Sequence, residues 1–315
     1  MRRYLSIAIL LLAPAAAFAQ AAMPADYQAV LTALGKQGDF KDNVLRVNVP
    51  RNDLHVTIDG VATPTPFGFG GWLALTKGTG GMDVMMGDLV LTDSEVNPVM
   101  SALLTNGLDV TALHNHFFFD TPRIYYMHVH GHGSASDLAA KVKPALALIG
   151  TATADRSVGT SGAGGNDERR GGPSGPPAAR ALTGSLDSAS LAKIVGYDGE
   201  QNGAVYKITI GRPDIPLKEM GAAINARMGL NTWAAFYGSD ADAVVAGDIA
   251  MLDREVTPVL KSLRASGIDV VAMHHHMTGV DPQVIFLHYW GKGDARKLAT
   301  AFRAAVDQTG ARPKQ

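Results

Sequence analysis

The chain has 315 residues, a net charge of −1 and 46% hydrophobic residues, enough apolar material for one large or two ordinary domains. Its charges are dispersed rather than blocked, which leaves no electrostatic footprint for nucleic acid or an anionic membrane. Cysteine is absent, which excludes disulfides, thiolate metal sites, cysteine nucleophiles and a lipidated N-terminal cysteine; any metal must be held by nitrogen and oxygen.

Residues 1–19 read as a signal peptide. Arg2 and Arg3 give a basic start, residues 5–17 are almost wholly apolar, and Ala17-Phe18-Ala19 supplies the small residues of a cleavage site. The apolar run is short and broken by Ala and Pro for a bilayer span, and no other segment approaches about 18 consecutive apolar residues. The mature protein is therefore expected to be soluble, periplasmic or secreted, with no membrane association after cleavage.

Two copies of one unit follow. Residues 87–133 align without a gap onto residues 247–293, with 18 identities over 47 positions. Upstream the offset grows by one: Gly35 falls on Gly196, Arg51 on Arg212, Asp53 on Asp214 and Trp72 on Trp233. This is domain duplication, with repeat domain 1 at 20–150 and repeat domain 2 at 181–315. Residues 151–180 between them are rich in Gly, Ser, Pro and Ala and are expected to form a flexible linker, long enough for the halves to dock face to face.

Within each copy a helix is expected first, over 26–34 or 188–194, then strands at 45–49 or 205–210, and in copy one at 72–76 and 84–91. Val96, Val99, Met100, Leu103 and Leu104 recur at helical spacing between an N-cap at Thr92 or Asp93 and a stop at Gly107; Val256, Val259, Leu260, Leu263 and Gly267 repeat the design. Strands at 108–117 and 123–131 and a helix at 135–149 (295–306 in copy two) close the unit. The reading is an α+β class: a tandem duplicated two-layer domain with helices packed on an antiparallel sheet, in an order close to ferredoxin-like folds.

The chemistry concentrates in one hairpin per copy. All of the ten histidines except His55 lie there. Side chains alternate along strands, so His114 and His116 share a face, as do His128 and His130. A turn centred near Pro122 would set His116 opposite His128 and His114 opposite His130, four imidazoles on one patch suited to a divalent transition metal such as Zn or Cu. A one-residue slip would split them. Copy two offers His274, His276 and His288, with Trp290 replacing His130; three imidazoles and an open position make it the candidate for chemistry. His275 alternates away, and His132 lies beyond the strand as a peripheral ligand or a solvated side chain.

Glu95 and Glu255 are the candidate catalytic carboxylates, able to orient an imidazole or act as general base, although acids at helix N-termini ordinarily cap. Asp88/Asp248 and Asp93/Asp253 are alternatives. Trp72, Trp233 and Trp290 read as core aromatics or a ligand platform.

Gly87-Asp88, Glu95-Val96, Pro98-Val99, Asn106 to Val110, His114-Asn115-His116, Pro122-Arg123 and Met127-His128 with Gly131 and Gly133 form a pattern that resembles the LppY/LpqO family of exported bacterial proteins of unknown function. The likeness covers residues 25–149 and 186–306 and implies export rather than a reaction. Two departures stand out: there is no cysteine to lipidate, and copy one carries His128-Val129-His130-Gly131-His132 where the pattern has the His-x-Trp seen at His288-Tyr289-Trp290. Two functions remain open: metal binding through the histidine hairpins, with or without catalysis, and a non-enzymatic envelope module that binds a small molecule or partner between the repeats. Imidazole pairs acting as a pH sensor form a third, lesser reading.

Overall fold

The computed structural model describes residues 22–151 and 179–311. The expected signal peptide and most of the expected linker lie outside these residues.

Repeat 1 runs α1 (Ala25–Leu34), β1 (Gly38–Lys41), β2 (Val44–Pro50), β3 (Val56–Ile58), β4 (Val61–Thr63), β5 (Gly70–Lys77), β6 (Asp83–Thr92), α2 (Asp93–Thr105), β7 (Asp109–His114), β8 (Asp120–Thr121), β9 (Ile124–Gly133) and α3 (Ala135–Leu146). Repeat 2 follows β10 (Arg180–Ala181) with α4 (Ser188–Val195), β11 (Gly199–Asn202), β12 (Val205–Gly211), β13 (Lys218–Glu219), β14 (Ala222–Ala223), β15 (Asn231–Gly238), β16 (Ala243–Leu252), α5 (Asp253–Ala265), β17 (Asp269–His275), β18 (Val284–Gly293) and α6 (Ala295–Val306). Each repeat carries a six-stranded antiparallel sheet of the same order, β1-β2-β5-β6-β9-β7 and β11-β12-β15-β16-β18-β17. The duplicated α+β architecture is thus present. The order departs from the ferredoxin-like one: β6, α2, β7 and the inserted β9 form a split β-α-β unit, but β6 takes its other neighbour from β5, which precedes it.

The helices form where the apolar spacing puts them. Val96, Val99 and Leu103 of α2 bury against Leu73, Leu75, Leu89, Met127 and Val129 of the sheet, with α3 beside them. Repeat 2 builds the same layer from Val259, Leu263, Leu287, Tyr289 and Phe302. Glu95 starts α2 in the expected way: its carboxylate accepts the Thr92 N–H at 2.8 Å, and Glu255 does the same for Leu252 at 2.8 Å.

The other face of each sheet meets its counterpart. One apolar cluster joins Phe67, Phe69, Phe117 and Tyr126 of repeat 1 to Tyr237, Val244 and Trp290 of repeat 2; a second joins Val44, Val84 and Met86 to Ile215, Leu217, Met228 and Phe286. In each case the excursion between the second and third strands of one sheet straps across the sheet of the other repeat. The result is a four-layer stack, helices–sheet–sheet–helices. Arg180, at the end of the expected linker, opens β10, which pairs with β4 of repeat 1.

Candidate metal centre

Even positions of β9 and β18 point between the sheets. Met127 and Val129 belong to the helix-side core, so His128 and His130 alternate to the inter-sheet face. In β7 that parity is set by a bulge. Val110 pairs with Val129 on the helix side, yet Ala112 pairs with His128 on the inter-sheet side, because the register shifts at Thr111. The same shift occurs between Val270 and Ala272. In a regular ladder of the same residues, without the bulge, His114 and His274 would face the helices.

The pairing differs from the expected register. His114 lies opposite Tyr126, not His130, and Ala112, not His116, lies opposite His128. The reason is the connection: β7 ends at His114, and residues 115–123 form a wide loop whose short β8 pairs with β3 instead of closing a tight turn. The displacement amounts to four residues, an even number that preserves the face, so the histidines still converge.

They converge across the repeats rather than within one hairpin. His114 stacks on His274 at 3.7 Å between ring centroids, His116 on His288 at 3.6 Å and His128 on His276 at 3.9 Å. These pairs exchange under the pseudo-twofold axis of the duplication, so neither copy owns a complete site. The Nε2 atoms form a chain: His116 to His114 at 3.1 Å, His114 to His288 at 3.1 Å and His288 to His274 at 2.9 Å. His116, His128, His276 and His288 are buried, while His274 is partly exposed. Thr111 clamps the seam, its hydroxyl donating to the His276 carbonyl at 2.9 Å.

Two of these imidazoles have a defined tautomer. His274 places Nδ1 3.1 Å from the His275 carbonyl, and His288 places Nδ1 3.3 Å from the Gly247 carbonyl. A carbonyl only accepts, so Nδ1 carries the proton and Nε2 carries a lone pair. The 2.9 Å approach of the two Nε2 atoms then sets lone pair against lone pair, which is favourable only with a cation between them. Ligand nitrogens on a tetrahedral ion with bonds of 2.0–2.1 Å lie about 3.3 Å apart, close to the spacing seen. Burial, reinforced by neighbouring imidazoles, pulls all six well below the ordinary histidine range, to about 4 for His274 and about 3 for His276. Neutral rings are the form that ligates.

Beside the cluster lies a polar cavity of about 380 Å³, lined by His116, His128 and His276 and by pseudo-symmetric pairs of Asp88/Asp248, Arg46/Lys207 and Trp72/Trp233. Arg46 stacks on Trp72 at 3.6 Å and Lys207 on Trp233 at 4.0 Å. Trp72 and Trp233 are thus cavity walls, whereas Trp290 is core. Burial pushes Asp88 up to about 7 against the pull of Arg46 and Lys207, and lifts Asp248 well above the usual carboxylate range; it lowers Lys207 to about 8. One oxygen of each aspartate is buried without a hydrogen-bond partner. Gly229 (φ +102°) belongs to the wall as well: a Cβ there would lie 2.9 Å from His276 Nε2 and 3.1 Å from Trp72.

Other sequence candidates go elsewhere. Glu95 is held by Arg51 at 2.7 Å and by the Gly150 N–H at 2.6 Å, and Glu255 by Arg212 at 3.0 Å and the Gly310 N–H at 2.9 Å. Both sit where α2 and α5 meet the helix side of the sheet, the face opposite the histidines, and their contacts are those of caps and buried ion pairs. His130 leaves the six and meets His132 and Glu219. Asp88 and Asp248, alternatives in the sequence, are the carboxylates that reach the cluster, with Asp88 Oδ1 3.8 Å from His128 Nε2. Arg46 and Lys207 were not distinguishable from ordinary surface charge in the sequence.

Fold and site together define a duplicated α+β protein with a buried, shared histidine cluster on its internal twofold. The chain belongs to the family described as Domain of Unknown Function (DUF1259), whose profile matches residues 28–148 and again 189–308. No curated protein matches it. Among solved structures, the trimeric bacterial microcompartment shell protein PduB aligns with 86% of this chain and 89% of its own at 11% identity, with a TM-score of 0.21. EtuB from Clostridium kluyveri aligns with 86% and 90% at 9% identity, with a TM-score of 0.19. Among the described residues no helix is long and apolar enough to cross a membrane.

Proposed function

We propose that this is an exported metal-binding protein that holds a divalent transition metal, Zn or Cu, between its repeats within the cluster of His114, His116, His128, His274 and His288, whose ligand atoms converge as His114–His116–His288 and His114–His128–His274, with His276 beside them. The observation that carries the reading is the 2.9 Å meeting of two Nε2 atoms whose Nδ1 positions are both committed to carbonyls. Export rests on residues 1–19 and on the likeness to exported LppY/LpqO proteins. Imidazole ligands without thiolates suit Zn(II), Cu(II) or Ni(II).

Elemental analysis of untagged protein purified from the envelope fraction tests this. The expected result is stoichiometric metal, a higher melting temperature on adding Zn or Cu to stripped protein, and weakening of affinity by about tenfold or more in His274→Ala. Less than about a tenth of a metal per chain together with no thermal shift would overturn it.

The cavity favours a second reading of the same interface, in which a small polar molecule binds between the repeats. Its paired cations over tryptophan and its elevated carboxyls offer donors and acceptors on both walls. Under that reading Asp88→Asn alters ligand binding and leaves metal content unchanged.

A further inference from the structure

His130 and His132 stand two apart on β9 and so share its inter-sheet face. They meet Glu219, a residue of the other repeat: His130 Nε2 lies 2.9 Å from Oε2 and His132 Nε2 lies 3.3 Å from Oε1. The three ligand atoms fall within 4.8 Å of one another and form a group separate from the central cluster. Despite these distances, His130 Nε2, His132 Nε2 and Glu219 Oε2 are buried and lack hydrogen-bond partners of acceptable geometry. Three buried polar atoms that approach without bonding one another would each retain a desolvation cost, which a shared cation removes.

The duplication supplies an internal control. The β13–β14 hairpin of repeat 2 corresponds to β3–β4 of repeat 1, with the turns Met220-Gly221 and Asp59-Gly60 in matching places. Glu219 therefore corresponds to Ile58, His130 to Trp290 and His132 to Lys292. On that side Ile58 and Trp290 share an apolar cluster, and Lys292 pairs with Asp59 at 3.3 Å. Docking a hairpin on the partner sheet thus works with apolar residues, and the His-His-Glu set is not a requirement of the packing. Its geometry is nonetheless fixed. Glu219 pairs with Ala222 across the hairpin, and the Met220 carbonyl accepts the Thr79 N–H of repeat 1 at 2.8 Å.

We propose that His130, His132 and Glu219 form a second divalent-metal site that bridges the two repeats. Two imidazoles and one carboxylate are a zinc donor set that leaves a fourth position open, and His132, 28% exposed, lies on the solvent side. The site does not depend on the central cluster, and it exists only on one side of the pseudo-twofold.

The test is zinc stoichiometry and calorimetric titration on stripped, untagged, full-length protein, with Co(II) absorption as a spectroscopic reporter. Glu219→Gln and His132→Ala are each expected to remove one zinc per chain and the Co(II) band of one site, while the paired His114→Ala/His274→Ala variant keeps that zinc. Unchanged stoichiometry and an unchanged Co(II) spectrum in both Glu219→Gln and His132→Ala would overturn the proposal and leave a plain His–Glu ion pair. If the paired central variant loses nothing while Glu219→Gln loses its zinc, the central reading fails and this one stands. His132→Ala removes a side chain on the solvent side, so it carries the test if Glu219→Gln does not fold.

Discussion

At the scale of single residues, the six central imidazoles make the metal-free protein sensitive to acid. Each is held below the unfolded value of 6.5 by burial, His274 at about 4 and His276 at about 3. A group with a depressed folded pKa stabilises above its unfolded pKa, and that contribution disappears as pH falls toward the folded value. Asp88 works in the opposite sense: raised from 3.8 to about 7, it stabilises fully below 3.8 and loses that contribution as pH rises to 7. Asp248 shares that direction. Six groups oppose two, so with chelator present the melting temperature is expected to be lower at pH 5 than at pH 7. An equal or higher value at pH 5 would show that the rings are not buried neutral. The chemistry of these residues was legible from the chain, because nine of ten histidines fall in two matching segments. The partners were not: His116 stacks on His288 across the repeats, and no local pattern says which sheet face meets which.

Among the elements, the bulge decides whether a histidine hairpin becomes a site. Strict alternation from Val110 would carry His114 onto the helix side with Val110, and only the extra residue at Thr111 turns it inward. Deleting Thr111 is expected to close the bulge with Ala112 still opposite His128, so His114 and His116 keep the inter-sheet face. The central metal should then be retained, with far-UV circular dichroism close to that of the parent. Loss of metal affinity would mean that the pairing slips by one residue instead and turns the histidines away. Helices and strands were readable from the chain because their spacing repeats across two copies: α6 ends where expected, and β2, β5 and β6 differ by one or two residues at their ends. The bulge was hidden, since Val-Thr-Ala-Leu reads equally as a regular strand. Glu219 did leave a trace, a carboxylate opposite Ile58 in the alignment, matched by histidines opposite Trp290 and Lys292. That trace means something only once the strap is known to cross to the other repeat.

For the whole molecule, the question is what joins the halves. Two apolar clusters, each a strap of one repeat against the sheet of the other, flank the histidines, and Phe67, Phe117, Met228 and Phe286 are all but fully buried there. Buried apolar area at about 25 cal/mol per Å² makes such a seam strong without covalent help. Polar links add register: Arg46 donates to the Arg227 carbonyl at 2.6 Å and Arg227 pairs with Asp39 at 2.7 Å. If this interface holds the repeats together, the chain joining them is dispensable after folding. A protease site introduced between residues 160 and 170 should then give two fragments that co-elute in gel filtration and retain metal. Fragments that separate at micromolar concentration would show that the seam is weaker than its burial implies, and that the shared centre depends on the tether to keep its two halves in register.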